Sequence, residues 1–401
     1  MRRVLLLLVP NVVFSAAMVQ HSTSLLATIV YLVGAPLALA AALRVLNART
    51  PLERRRWLGP AALIGFFLVA SMAFLLIYPI ADARKAIGAG TDTDDALDLA
   101  VRSLLSGQYL YQQRTYLNNP ISQLPGWVGL AAPFVIAFGR AAYLNVFWLA
   151  VWLALLAIET RSALRAALLG AVTFVFFPGV SILFLNGSDQ IASVVAVGLL
   201  LVVLQRGRLG ALPLGVATGV VLSSRFNVVL LLPVNVALVG RKSGWPSALV
   251  YGVLAGLTWL VVSFLPWVVN PMAFTPLHTY GMLGRFDRAI PYFGLLVPLA
   301  AAGLAVWLAW RVWRHGDDPW LAMALVLSLP VLCGFLADLL VTRNLDFWPL
   351  VYGLMAAPLW VGAAAPGVGR LLAADAPAAS PEVAQPPFWR LMPRWAAPRR
   401  S

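Results

Sequence analysis

Apolar runs of about twenty residues recur from one end of this chain to the other. A helix needs roughly that many residues to cross a hydrocarbon layer about 30 Å thick. A backbone in lipid has no water to bond, so only helices and closed barrels can span it, and these runs are too long and uninterrupted for barrel strands. The expected fold class is therefore all-α, a polytopic transmembrane helix bundle. Of 401 residues, 61% are hydrophobic and 11% charged, against roughly a half and a quarter in soluble domains. A soluble globular domain is excluded.

Runs of span length lie at residues 4–20, 23–43, 60–80, 142–159, 166–185, 190–205, 210–223, 226–240, 247–269, 291–311, 320–341 and 346–364, which predicts about twelve crossings. A thirteenth stretch, residues 127–138, is short and carries Gly129 and Pro133, so it reads as one partial or re-entrant helix. Arg2 and Arg3 ahead of residues 4–9 imitate a signal peptide. No clean small-residue cleavage site follows and a second apolar run begins almost at once, so the first span is read as uncleaved.

A formal charge of +14 would point to nucleic acid in a soluble protein. Here Lys and Arg fall in short links between apolar runs: Arg49 with Arg54, Arg55 and Arg56, Arg161 and Arg165, Arg206 and Arg208, Arg241 and Lys242, Arg311 and Arg314. That is the pattern of cytoplasmic loops, so the expected partners are membrane lipids and not nucleic acid, and both termini are expected to be cytoplasmic. Residues 1–365 form one transmembrane domain with outer loops at 81–124 and 270–290. Residues 366–401, rich in Ala, Pro and Arg, are expected to be a disordered cytoplasmic tail that touches anionic lipid through Arg390, Arg394, Arg399 and Arg400.

A single cysteine, Cys333, rules out disulfides and a zinc cluster, and His21, His278 and His315 are scattered without metal-ligand spacing. No metal site is expected from them, and any divalent cation would rest on carboxylates. Those carboxylates crowd the first outer loop: Asp92, Asp94, Asp95 and Asp98 fall within seven residues of a chain with fifteen acids. Thr91 and Asp94 have capping-box spacing. From Asp94 onward Leu97, Val101, Leu104 and Leu105 recur at helical spacing, with Asp98 and Arg102 as an i, i+4 pair, which predicts an amphipathic helix on the outer membrane surface. A carboxylate beside a low-dielectric wall can have its pKa raised into the working range of a general base.

That helix leads into Leu104-Leu105-Ser106-Gly107, then Tyr109-Leu110-Tyr111, a polar link to Asn118-Asn119-Pro120, and a Pro-led apolar helix at Leu124-Pro125-Gly126-Trp127. An Asp upstream of such a run resembles the first periplasmic loop of GT-C glycosyltransferases, most of all the bacterial polyprenyl-phosphate-mannose-dependent mannosyltransferases. Two departures stand out. Leu-Pro-Gly occupies the place of a common Tyr-Pro-Pro, and an extra pair of spans precedes the loop. Asn186-Gly187-Ser188-Asp189-Gln190 sits where many members have Gly-Gln, and Ser224-Arg225-Phe226 where they have a lysine-bearing turn.

The resemblance implies an enzyme of the bacterial inner membrane that moves a sugar from a polyprenyl-phosphate donor to a lipid, glycan or protein acceptor on the outer face. Asp94, with Asp95 completing a di-acidic pair, matches the catalytic base. Arg225, Arg285 and Arg288 are the candidates to hold the donor phosphate, Arg225 foremost because the positive-inside pattern gives no reason for a cation there. Tyr109, Tyr111, Gln190 and His278 are candidate substrate contacts, and Tyr280 and Asp287 share the second outer loop. Asp189 and Asp338 lie within or beside spans, where a carboxylate marks a pathway or a pair, Arg343 being a partner for Asp338. A transporter or flippase for lipid-linked glycans is the alternative, and would show internal repeats and a polar path at mid-membrane. No repeat between the halves is evident. A glycan polymerase or ligase, expected to centre on a large arginine-rich late loop, ranks third.

Overall fold

The computed structural model describes residues 2–48, 57–88, 90–206 and 210–371, and only the backbone of residues 2, 45–48, 279, 280 and 369–371. Among the described residues it is all helical. In chain order the helices are Arg2–Ser22 (α1), Leu25–Ala48 (α2), Leu58–Ala83 (α3), Thr93–Leu105 (α4), Pro125–Phe138 (α5), Leu144–Thr160 (α6), Ala163–Phe176 (α7), Pro178–Leu185 (α8), Gln190–Arg206 (α9), Ala211–Leu222 (α10), Leu232–Ser243 (α11), Trp245–Val269 (α12), His278–Gly284 (α13), Phe293–His315 (α14), Pro319–Thr342 (α15) and Ala357–Leu371 (α16). Nine helical segments among the described residues are long and apolar enough to cross a membrane, or ten if a bent pair counts as one span.

The expected twelve straight crossings are therefore not all present. Residues 166–185 are a bent pair, α7 and α8, meeting at 91°. Pro178 offers no backbone N–H to continue α7, and Phe177 before it is pushed out of helical geometry, to φ −120° and ψ 75°. Helices α9 and α10 have 17 and 12 residues, short for a 30 Å layer. The short apolar helix expected at 127–138 is α5, started by Pro125 and ended at Gly139 in the left-handed region.

The first and last helices share the core. α1 packs on α16 and on the 3₁₀ segment Trp348–Ala356, and α16 lies among α6, α7, α9 and α15. Here Gly353 sits against the Phe14 ring and Gly362 against Trp320, so small residues let large rings close the bundle. α16 runs on past Pro366, beyond the expected start of the tail; residues 372–401, with the four arginines assigned to lipid contact, lie outside the described residues.

The loop expected to start at residue 81 begins later, because α3 continues to Ala83 and a 3₁₀ turn to Ile87. Within it, the apolar face of α4, expected to turn toward lipid, meets protein instead. That face, Leu97, Ala100 and Val101, is buried with Ile121, Leu124, Trp127 and Val128 in a second core beneath the loop. α5 and the returning loop offer that face a protein partner, which lipid headgroups cannot match. Only Arg102, Leu104 and Leu105 at its far end are exposed.

Gly126 sets how closely α5 approaches the end of α10. A Cβ there would strike the Val220 carbonyl, the Ser223 carbonyl at 2.8 Å and Ser223 Cβ at 2.7 Å, which are mostly backbone and cannot swing away. Gly126→Ala is expected to lower thermal stability in detergent by about 1–3 kcal/mol. Gly129→Ala, facing open space one turn on, serves as the neutral control.

Candidate functional site

The four acids clustered at residues 92–98 do different work. Asp92 accepts from Thr115 Oγ1 at 2.6 Å and Asn119 Nδ2 at 2.9 Å, and Asp95 accepts from the Tyr116 N–H at 3.1 Å, so both shape the turn at 115–119. Asp98 accepts from the Ala141 N–H at 2.5 Å and from Arg140 at 3.3 Å, pinning α4 to the junction of α5 and α6. The expected Asp98 to Arg102 pair does not form, because Arg102 donates to the Gly139 carbonyl at 2.8 Å. The ends of α5 and α6 expose backbone groups without helical partners, and these claim both side chains. The capping box is also unrealised: the Thr93 N–H reaches Thr91 Oγ1 at 3.4 Å, and Asp94 turns the other way.

Asp94 is 1% exposed. Its Oδ2 accepts from the Tyr78 hydroxyl and from Lys85 Nζ, each at 2.8 Å, while Oδ1 is buried with no partner. It is the only one of the four acids with an unmatched buried oxygen. Burial pushes its pKa up to about 6, against the opposing pull of Lys85 and the Tyr78 hydroxyl. Burial likewise raises Asp98, offset in part by the Ala141 N–H and Arg140.

Tyr78 and Asp82 lie on the last turns of α3 and Lys85 on the following 3₁₀ turn, at a spacing that puts all three on one face. Lys85 also pairs with Asp82 at 2.6 Å, and Arg140 bridges Asp82 at 2.9 Å and Asp98 at 3.3 Å. The result is a network of three carboxylates, Asp82, Asp94 and Asp98, and two cations. Sequence reasoning missed Tyr78, Asp82, Lys85 and Arg140. The polar stripe at 78, 82 and 85 on the end of an apolar span was the signal that could have found the first three.

A short strap joins this network to Arg225. Gln123 donates to the Thr93 carbonyl at 3.0 Å, the Leu124 N–H donates to the Ser224 carbonyl at 3.0 Å, and Arg225 donates to Ser122 Oγ at 3.3 Å. Arg225 is thus held at the same end of the bundle as the acids. It is not a lone cation, however: it pairs with Asp189 Oδ1 at 2.7 Å, with Asp189 1% and Arg225 14% exposed. Asp189 Oδ2, Arg225 Nε, Gln190 Oε1, Ser188 Oγ and Ser224 Oγ are all buried without partners. The two chain breaks, between α8 and α9 and after α10, therefore concentrate unmet polar atoms around the one ion pair.

The remaining candidates are spread more widely. The Tyr109 hydroxyl donates to the Pro266 and Asn270 carbonyls at 3.0 and 2.9 Å, and the Tyr111 hydroxyl donates to the Gln123 carbonyl at 3.1 Å. Both hydroxyls tie the outer loop to itself and to α12, and so are not free for a substrate. Arg285 pairs with Asp338 at 3.1 Å, so Asp338 is met by Arg285 and not by the expected Arg343. His278, Asp287 and Arg288 are exposed on and just beyond α13, and the side chain of Tyr280 lies outside the described residues. Tyr352, which sequence reasoning did not single out, is half exposed and within electrostatic range of Arg225, Asp92 and Arg285. No group of three or more His, Cys, Asp or Glu suited to a metal ion occurs among the described residues.

Comparisons of the chain with protein-family models, curated proteins and solved structures find nothing that matches it.

Proposed function

We propose that this chain is a membrane glycosyltransferase of the GT-C kind, transferring a sugar from a polyprenyl-phosphate donor to a lipid, glycan or protein acceptor at the outer face of a bacterial inner membrane. The observation that carries the reading is Asp94: a buried carboxylate held on one oxygen by Tyr78 and Lys85, its other oxygen unmatched, its pKa raised to about 6. An alcohol near neutral pH attacks poorly unless a positioned base takes its proton. A carboxylate with that pKa is ionised at pH 7 yet far more basic than an ordinary aspartate.

In this mechanism the acceptor oxygen bonds to the anomeric carbon on the side away from the phosphate, and its proton passes to Asp94 Oδ1. The bond from the anomeric carbon to the phosphate oxygen breaks with its electron pair, leaving polyprenyl phosphate, and the configuration inverts. The charge gathering on that phosphate is met by Arg225, with Arg285 and Arg288 from the second outer loop. Asp95, fixing the 115–119 turn next to Asp94, acts through position, and Gln190 and His278 are left to contact the sugar.

The topology that fits this reading has twelve crossings with both termini cytoplasmic. It adds the bent α7–α8 pair and the shorter α9 and α10 to the nine longer segments and leaves α5 as the partial helix. The transporter or flippase reading draws support from one feature, the bent α7–α8 pair beside a buried ion pair, since broken helices line many transport sites.

One assay separates the two. Membranes holding the protein are incubated with polyprenyl phosphates carrying labelled mannose, another hexose or a pentose. Enzyme activity puts label into a new glycosidic product. Movement of a fluorescent lipid-linked sugar across reconstituted vesicles, with no new product from any donor, would replace the enzyme by the flippase.

A further inference from the structure

We propose that Lys85 is a positioning residue for Asp94, shared between Asp82 and Asp94 so that it keeps the Asp94 carboxylate oriented and ionised. The consequence for sugar transfer rests on the reading above; the charge relation between the two side chains does not.

Lys85 Nζ lies 2.6 Å from Asp82 Oδ1 and 2.8 Å from Asp94 Oδ2, with its side chain 15% exposed. It also approaches the face of the Tyr116 ring, 5.9 Å from the centroid. Screening by water is weak at such a site, so one cation acts strongly on each carboxylate. The groups facing Asp94 are Tyr78 from α3, Lys85 from the 3₁₀ turn, Asp98 from its own helix and Tyr116 from the returning loop. Behind them Arg140 serves Asp82 and Asp98 and does not reach Asp94. Among the described residues Lys85 is thus the one cation in direct contact with the proposed base, and Asp82 competes for it. That competition fixes the ammonium in place while leaving Asp94 only partly neutralised.

The test reads the protonation of Asp94 directly. A hydrophobic carbodiimide adds to the protonated carboxyl only, and the adduct at Asp94 is counted by peptide mass spectrometry across a pH series on the intact, detergent-solubilised protein. Lys85→Met is expected to raise the labelling midpoint by about 1–3 pH units, Lys85→Arg to restore it, and Tyr78→Phe to raise it by less. Asp82→Asn, which gives Lys85 wholly to Asp94, is expected to lower the midpoint. Mere loosening of the loop would expose Asp94 in every variant and move all midpoints down toward an ordinary aspartate. An unchanged or lowered midpoint in Lys85→Met overturns the proposal, and if that variant does not fold, a rise in Asp82→Asn does so instead. Because labelling needs no sugar transfer, an inactive wild type would sink the enzymatic reading and leave this result standing. With transfer measurable, the acid limb of the pH–rate profile moves with the labelling midpoint.

Discussion

If the proposed reaction holds, Asp94→Asn is expected to lower sugar transfer by about 10²–10⁴-fold, the usual worth of a positioned general base, while the folded protein melts no earlier than the wild type. The two outcomes come from one piece of geometry. Asn keeps the shape and can still accept from Tyr78, but it cannot take a proton. In the wild-type network three carboxylates face two cations, so removing the Asp94 charge leaves Asp82 and Asp98 balanced by Lys85 and Arg140. A structural acid would behave the other way, because breaking a needed ion pair destabilises.

The pH dependence has a defined sign. The folded pKa of Asp94, about 6, lies above the ordinary value of about 4. Between those two pH values the folded protein holds a proton that the unfolded chain has released, so the contribution of Asp94 to stability falls as pH rises through that window. Activity runs opposite, dropping as pH falls below about 6. Thermal melts of wild type and Asp94→Asn from pH 4 to 7, set beside transfer rates, check both. If Asp94→Asn transfers sugar at the wild-type rate, Asp94 is not the base.

Arg225→Leu carries the second large effect. It leaves Asp189, 1% exposed, without a counter-charge, a loss of about 3–5 kcal/mol for one partner of a buried pair. The double variant Arg225→Leu with Asp189→Leu removes both charges, and with them two of the five unmatched buried atoms, Asp189 Oδ2 and Arg225 Nε. It is expected to regain most of the stability in thermal melts and none of the affinity for polyprenyl phosphate measured by lipid binding to the purified protein. Recovery of binding in the double variant would show that Arg225 serves the fold alone. The same experiment asks whether a phosphate must displace Asp189 from Arg225: Asp189→Asn, with the arginine released, then binds bare polyprenyl phosphate more tightly than the wild type.

The 3.6-residue recurrence of Leu97 and Val101 located α4 to within a residue, and Gly129 with Pro133 flagged α5 as a short helix. The bend at Phe177 was less legible, because residues 166–185 are uniformly apolar and a proline inside a membrane run does not always break it. Among the acids, clustering pointed to the right loop, but the capping box and the Asp98 to Arg102 pair were local guesses that distant backbone groups overrode. Arg225, Asp189, Arg285 and Asp338 were each singled out, but not that they form two pairs, Arg225 with Asp189 and Arg285 with Asp338.

The sequence by itself determined what is set by composition and period: a helical membrane protein, the positions of most of its helices, and a loop carrying a cluster of acids. Only the tertiary structure decided which of the acids is left with an unmatched oxygen, that Tyr78 and Lys85 hold its other one, and that Asp82 and Arg140 complete the network behind them. The physical reason is range. Apolar burial and helix periodicity act along neighbouring residues and leave a trace in their order, whereas an ion pair or a pKa depends on distances between segments that only packing brings together.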